Sequence, residues 1–164
     1  MVEPMARRAN PNPYEIAPLT EDDLPHILAI EQEVNEAPWS EASFRHELSH
    51  PHGIFLVARG KGVVVGYAGC WVLVDEVHIT TVAVSPDHQR QGIGQTLVLE
   101  LLRQALDRGA TCATLEVRAG NVGARALYNG LGFIDAAVRR GYYPNNREDA
   151  IVMWLHDLDQ GIGA

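Results

Sequence analysis

The chain has 164 residues, 46% hydrophobic and 21% charged, a balance typical of one globular domain and not of a disordered chain. Thirteen Lys and Arg residues against 21 Asp and Glu residues give a formal net charge of −8 at pH 7. This charge argues against a nucleic-acid partner and is compatible with a basic peptide.

The cysteines argue against a metal site, and the apolar stretches argue against a membrane span or a signal peptide. Cys70 and Cys112 lie in apolar, strand-like runs without the close spacing of a metal site, so we interpret both as small core side chains. No apolar stretch approaches the length of a membrane span, and the N-terminus lacks the apolar core of a signal peptide. We expect a soluble cytoplasmic protein with no membrane partner and no bound metal.

The domain boundaries follow from periodicity. Residues 1–13 carry Arg7, Arg8 and three prolines but no repeating apolar pattern, and we predict a flexible extension. Residues 14–157 are predicted to form one domain, and residues 158–164 a C-terminal tail.

The domain is predicted to begin with one strand and two helices. Alternation at Tyr14-Glu15-Ile16 indicates a short strand, and Thr20 to Asp23 starts a helix with an apolar stripe. Pro38-Trp39-Ser40 ends that segment, and Ser40 caps a second short helix. His46, His50 and His52 follow near its end without an acidic or thiol partner at metal-ligand spacing, so we interpret them as a solvated, His-rich helix end.

Three strands are predicted next, at residues 54–59, 63–74 and 76–84. Gly60-Lys61-Gly62 is typical of a hairpin turn between the first two. A glycine-containing loop and a helix that ends near Gly109 follow the third strand.

The loop Asp87 to Gly94, with the sequence DHQRQGIG, is the most informative stretch. Glycines let backbone N–H groups approach a ligand closely, and the first turn of a helix has unpaired donors and a partial positive charge. Arg90 adds a cation. The loop therefore predicts a phosphate or pyrophosphate site.

The last third of the chain is predicted as a strand at residues 111–117, a helix capped by Asn121, and two terminal strands at residues 134–139 and 150–156. A β–α–β crossover in the middle of a strand-rich chain predicts an α/β (mixed α+β) fold. We expect a central mixed parallel and antiparallel sheet with helices on both faces.

A dinucleotide-binding βαβ unit is an alternative interpretation of the loop. Glu116 lies twenty-two residues beyond Gly94, about where a ribose-binding acid would stand. Against this alternative, Leu97 occupies the place of the third glycine, and residues 85–91 form a long, basic loop where a nucleotide turn is short.

Gln89-x-x-Gly92-x-Gly94 has the form Q/R-x-x-G-x-G/A, and here the sequence resembles the GNAT family of acetyl-CoA-dependent N-acetyltransferases. The segments His78 to Val84, Leu115 to Asn121 and Ala126 to Tyr128 resemble, more narrowly, the RimI-type ribosomal-protein-alanine (N-terminal) acetyltransferases. The resemblance extends over nearly the whole chain. It implies the GNAT acetyltransferase fold with acetyl-CoA as co-substrate.

The resemblance also implies roles for single residues. Glu116 would be the general base and Tyr128 the acid that protonates the leaving thiolate. A bulge or splay in the strand before the loop would free backbone donors for the acetyl carbonyl. The implied cofactor-binding residues are Val82, Ala83 and Val84 along the acetyl-pantetheine arm, Gln89, Arg90, Gln91, Gly92, Ile93, Gly94 and Gln95 in the pyrophosphate loop, and Asn121 further along.

Local patterns leave other interpretations of the same residues open. Glu116 could be a strand-end carboxylate paired with Arg118 or Arg90, since a charge in an apolar strand needs a partner or water. Tyr128 could be a core aromatic with a satisfied hydroxyl, and Asn121 is equally well explained as a helix cap.

Two aromatic loop segments, Pro38-Trp39-Ser40 and Arg139 to Pro144, resemble the peptide-side elements of the family. Trp39, Tyr142 and Tyr143 are therefore the candidate acceptor-binding residues, although packing of Trp39 into the core explains it about as well. We hypothesise an acceptor that is a protein N-terminal α-amine, by resemblance the N-terminal alanine of a small-subunit ribosomal protein. The alternatives are a lysine or small-amine acetyltransferase of the same fold, and a non-catalytic CoA-binding or dinucleotide-binding protein.

Overall fold

The structure, a computed structural model, describes residues 13–162, within which the chain forms seven strands and five α-helices. The strands are β1 (Tyr14–Pro18), β2 (Gly53–Gly60), β3 (Val63–Leu73), β4 (Glu76–Val84), β5 (Cys112–Arg118), β6 (Ile134–Arg139) and β7 (Ala150–Leu155). The helices are α1 (Leu24–Val34), α2 (Glu41–Leu48), α3 (Ile93–Asp107), α4 (Val122–Gly130) and α5 (Leu158–Ile162). Short 3₁₀ turns precede α1 and follow β4. The predicted order of elements is confirmed from β1 to β7, and α5 is an additional helix where a tail was predicted.

Local signals place the element ends as predicted. Ser40 Oγ accepts a hydrogen bond of 3.1 Å from the Ser43 backbone N–H, so Ser40 caps α2. Gly109 follows α3 with a φ of +96°, a left-handed conformation that glycine adopts without a steric cost. Lys61 and Gly62, with φ of 54° and 80°, make the β2–β3 turn, which suits the right-handed twist of a hairpin.

The seven strands form one sheet in the order β1-β2-β3-β4-β5-β7-β6. The pair β4 and β5 is parallel because α3 carries the chain back across the sheet, and the other neighbours are antiparallel. This is the predicted mixed sheet with a central crossover.

Helices cover both faces of the sheet. On one face, α1 and α2 bury Leu24, Ile27 and Phe44 against Val57 and Tyr67. On the other face, α3 buries an apolar stripe against alternate residues of the same strands, and α4 packs beside it. Because strand side chains alternate, neighbouring residues of β2 and β3 serve opposite cores.

The two ends of the chain differ from the body of the domain. Of the predicted extension, residues 1–12 lie outside the described residues. The segment predicted as a tail begins with α5, whose Leu158 is fully buried in the core beneath α3. Residues 13–162 contain no helix that is both long and apolar enough to cross a membrane.

One irregularity of the sheet positions the site. Pairing of β4 with β5 ends at His78 opposite Thr114, and the strands then diverge. A register shift between Gly69 and Cys70 of β3 adds a bulge in β4 at the same level. The result is a V-shaped opening between the carboxyl ends of two parallel strands, a common place for ligands in α/β sheets.

Candidate active site

A cavity of about 770 Å³ opens between the diverging ends of β4 and β5. Its other walls come from α4, the loop after α1 and the β6–β7 connection. Seven residues that the sequence singled out separately line it together: Trp39, Val82, Ala83, Glu116, Asn121, Tyr128 and Tyr143. The fold thus brings the implied base, the implied acid and part of the implied cofactor strand into one space.

Other predicted residues lie outside this cavity. Val84 and the loop Gln89 to Gln95 follow at the carboxyl end of β4, where Gln89 Nε2 donates a 3.0 Å hydrogen bond to the Val84 carbonyl. The Tyr14 hydroxyl donates to the Gln91 side chain, which ties the loop to β1. Tyr142 is exposed and packs edge-on against Tyr143, so of the two tyrosines only Tyr143 lines the cavity.

The two loop glycines are needed for different reasons. Gly92 has a φ of +82° and nothing within 4 Å of the place a Cβ would take, so it leaves open space in front of the first turn of α3. A Cβ on Gly94 would instead lie 3.0 Å from Leu127 Cδ1, so Gly94 lets α3 pack closely on α4. Sequence patterns predict ligand approach at both glycines, and at Gly94 the close helix contact is an additional, structural reason for glycine.

Glu116 lines the cavity from β5 with a side chain that is 17% exposed. Its Oε1 lies 3.0 Å from Nε2 of His78 on β4. The sequence left open that Glu116 is a strand-end carboxylate paired with Arg118 or Arg90. In the structure, its partner is instead His78. Arg118 is 15% exposed and occupied by other groups.

Arg118 connects two loops at the cavity wall. Its Nε lies 3.4 Å from Glu36 in the loop after α1, and its Nη1 lies 3.2 Å from Glu148 before β7. Its guanidinium also lies 4.0 Å from the centre of the Tyr143 ring. The Gly120 backbone N–H and Arg118 hold the pKa of the Glu148 carboxyl below its ordinary value. Sequence patterns offered no signal for this cluster because its members are far apart in the chain.

Tyr128 presents an unpaired phenol to the cavity. Its side chain is 7% exposed and packs edge-on against Phe133, and its hydroxyl forms no hydrogen bond with any residue in the range 13–162. Burial, with a smaller contribution from Tyr143, raises the pKa of this phenol above its ordinary value. The hydroxyl therefore keeps its proton at neutral pH, as a proton donor must.

Asn121 and Trp39 each combine a structural contact with a place in the cavity wall. Asn121 Oδ1 accepts a 3.1 Å hydrogen bond from the Ala124 backbone N–H and so caps α4. The Trp39 ring packs on Phe44 at 5.0 Å between centroids, as its core interpretation predicted. Both still line the cavity, so the structural and the ligand-contact interpretations are compatible.

Glu31 of α1 is a cavity residue that sequence patterns missed. It is 2% exposed and accepts hydrogen bonds from Asn35 Nδ2 at 2.8 Å, from the Trp39 backbone N–H at 3.0 Å and from the Tyr67 hydroxyl. A buried carboxylate needs such partners. Its sequence signal is a charge directly after Ile30 on the buried side of an amphipathic helix.

Cys70, His50 and His52 lie outside the cavity. Burial raises the pKa of the Cys70 thiol to about 12, so it is not a nucleophile at neutral pH. The His50 ring stacks on Trp71 at 4.3 Å, and the His52 backbone N–H donates to His50 Nδ1. In the described part of the chain, no three His, Cys, Asp or Glu residues are grouped so as to hold a metal ion.

Comparison with known proteins identifies the class. The acetyltransferase (GNAT) family matches residues 22–133, more than half of the chain. The chain therefore belongs to the GNAT family and is an acyltransferase.

The relatives narrow this class to the RimI type. The chain is 41% identical over 142 residues to the [ribosomal protein bS18]-alanine N-acetyltransferase of Escherichia coli (strain K12), with 85% of this chain and 95% of that protein covered. It is 38% identical over 151 residues to the N-alpha-acetyltransferase RimI of Mycobacterium tuberculosis, with 88% and 94% covered. The crystal structure of the ribosomal-protein-S18-alanine N-acetyltransferase from Escherichia coli matches with a TM-score of 0.81 at 38% identity, over 88% of this chain and 94% of that one.

These matches confirm the GNAT fold and the RimI-type resemblance. The alternative of a dinucleotide-binding βαβ unit is wrong, because the glycine loop here belongs to an acetyltransferase sheet. The roles of single residues stay predictions.

Proposed function

We propose that this enzyme transfers the acetyl group of acetyl-CoA to the N-terminal α-amine of a protein, and that the acceptor is the N-terminal alanine of ribosomal protein bS18. One observation carries the proposal: a carboxylate and an unpaired phenol, Glu116 and Tyr128, line one cavity where β4 and β5 separate. The names of the E. coli and M. tuberculosis relatives support the acceptor class. A ribosomal acceptor also supports a cytoplasmic location.

The residues at the carboxyl end of β4 fit acetyl-CoA. The partial positive charge of the α3 N-terminus, Arg90 in the adjoining loop and the open space before Gly92 together suit a pyrophosphate. Val82 and Ala83 lead from the loop into the cavity and suit the acetyl-pantetheine arm. Backbone N–H groups of β4 beyond His78 have no partner in β5 and suit the acetyl oxygen.

The proposed mechanism is direct attack. Glu116 accepts a proton from the acceptor ammonium group, directly or through water, and the neutral amine nitrogen forms a bond to the acetyl carbon. Backbone N–H groups of β4 stabilise the charge that develops on the acetyl oxygen. Tyr128 donates its proton to the sulfur as the carbon–sulfur bond breaks, and the acylated nitrogen then loses its second proton to the phenolate, which restores Tyr128. A covalent enzyme intermediate is not required.

The acceptor side of the cavity suits a cationic peptide end. Glu31, Glu36 and Glu148 line it together with the Trp39 and Tyr143 rings. With Glu116, four carboxylates among the described residues line the cavity beside the cation Arg118, so the carboxylates outnumber the cation and attract an ammonium group. The overall acidic charge favours basic residues further along the acceptor. Arg139 ends β6 and Arg140 follows it, and their charges reduce this preference locally.

A pair of peptides tests the acceptor. We expect faster acetylation of a lysine-free peptide with a free N-terminal alanine than of the same peptide blocked at its N-terminus and extended with a lysine. Mass spectrometry locates the acetyl group in each product. Faster acetylation of the blocked lysine peptide would make the protein a lysine acetyltransferase instead.

The co-substrate is tested by thermal unfolding. Acetyl-CoA at about 100 times its Kd should stabilise the protein by roughly 2.7 kcal/mol, whereas NAD and NADP should leave Tm unchanged. Gly92→Asp should abolish most of this shift, because a carboxylate would stand where the pyrophosphate binds. Gly62→Asp is the matched control: Gly62 also has a φ near +80° and open space around it, but it lies in the β2–β3 turn. An equal loss of the acetyl-CoA shift in both variants would contradict this assignment of the loop.

A further inference from the structure

His78 contacts the proposed base although the sequence motifs assign it no role. Its Nε2 lies 3.0 Å from Oε1 of Glu116. His78 faces Thr114 in the last pair of the parallel β4–β5 ladder. Because side chains alternate along a strand, Thr114 and Glu116 lie on the same face of β5. Glu116 is the next residue on that face after the last pair. The strand register therefore places the imidazole beside the carboxylate at the point where the strands begin to diverge.

Aromatic neighbours hold the imidazole in place. The His78 ring packs edge-on against Trp71 at 6.4 Å between centroids, and Trp71 stacks in turn on His50 at 4.3 Å. The His78 side chain is 35% exposed. Its ring is thus supported on one side and accessible to small molecules.

The Glu116 carboxylate is held through one oxygen. Oε1 contacts His78, whereas Oε2 forms no hydrogen bond with any residue among those described, and the side chain lines the cavity. A carboxylate only accepts hydrogen bonds, so a neutral imidazole at this distance donates its Nε2–H. This leaves the second oxygen available for the acceptor amine.

We propose that His78 is a positioning residue that donates Nε2–H to Oε1 of Glu116 and so directs Oε2 toward the acceptor amine. The inference rests on the proposed function, in which Glu116 is the base. The proton that leaves the amine nitrogen goes to Oε2, and the proton on Nε2 stays on His78 throughout. No bond at the imidazole is formed or broken.

Three variants test the hydrogen bond. His78→Leu should lower kcat for peptide acetylation by about tenfold to a hundredfold, as for loss of a hydrogen bond to a charged group, with KM for acetyl-CoA unchanged. His78→Gln places an amide N–H near the position of Nε2 and should stay within about threefold of the wild-type rate. His46→Leu is the matched control, because His46 is exposed and lies outside the cavity, and it should have no effect.

A double-mutant comparison separates positioning from structural support. In a Glu116→Gln background, His78→Leu should cause no further loss, because His78 acts through the carboxylate. Imidazole at pH 8 should restore activity to His78→Ala, whereas 1-methylimidazole, which lacks an N–H in its neutral form, should not. Tm and acetyl-CoA binding confirm that each variant is folded.

The possible outcomes separate this inference from the proposed function. A wild-type kcat for His78→Leu, or an equal loss in the presence and absence of Glu116, would overturn the positioning role while peptide acetylation stands. Equal rescue by both additives would also overturn it. If the wild-type enzyme acetylates no peptide N-terminus, the proposed function itself fails, whatever the His78 variants do.

Discussion

Tyr128→Phe should lower kcat by about a hundredfold or more while acetyl-CoA binding is retained, because it removes the proton that the leaving thiolate needs. The hydroxyl forms no hydrogen bond with residues 13–162, and the ring is buried against Phe133. Removing an unpaired hydroxyl and keeping the ring should leave the free energy of unfolding unchanged or slightly higher. Loss of activity without loss of stability is thus the expected signature.

Tyr143→Phe is the control for this experiment. Tyr143 is a second phenol in the same cavity, and its contact with Arg118 is made by the ring, which Phe keeps. The kcat of the Tyr143→Phe variant should stay close to that of the wild type. Steady-state kinetics and acetyl-CoA titrations of both variants are the measurements. A near wild-type rate for Tyr128→Phe together with a large loss for Tyr143→Phe would transfer the role of acid to Tyr143.

Glu116→Gln should lower turnover most at low pH and progressively less as the pH rises. A peptide α-amine has a pKa of roughly 8, so below this value most of the acceptor is an ammonium ion that cannot attack until a base removes a proton. At pH 6.5 we expect a loss of about a hundredfold. Above pH 8 the amine is largely neutral by itself, and the loss should shrink.

Glu36→Gln is the matched control for the base. Glu36 is also a cavity carboxylate, but its side chain is 55% exposed and is paired with Arg118. Glu36→Gln should lower turnover only slightly, and by the same factor at all pH values. The measurement is the pH profile of kcat/KM for an N-terminal alanine peptide. A loss for Glu116→Gln that stays constant with pH would contradict the role of Glu116 as the base.

The patterns that predicted well depend on neighbours in the chain. Ser40 and Asn121 cap helices through bonds to residues three positions further on, and Gly109 ends α3 through its own backbone conformation. The β2–β3 hairpin follows in the same way from Lys61 and Gly62. Such interactions are complete within one turn, so a short sequence window contains all the information they need.

The contacts that local patterns could not predict join residues that are far apart in the chain. The partner of Glu116 is His78, 38 residues away, and not the nearby Arg118. The close packing of Gly94 on Leu127 of another helix is a second such contact. These contacts follow from strand register and helix packing, which no local pattern records.

The sequence by itself determined the order of the elements, the glycine loop before α3 and the RimI-type resemblance, because periodicity, capping and motif spacing are local properties. Only the tertiary structure decided which residues share the cavity, that the Tyr128 hydroxyl is unpaired within the described chain, and that His78 Nε2 lies 3.0 Å from the Glu116 carboxylate. The physical reason is the early end of the β4–β5 ladder. Where the two strands separate, their side chains and backbone groups no longer pair with each other and instead face the space between the strands. This separation depends on the packing of the whole sheet.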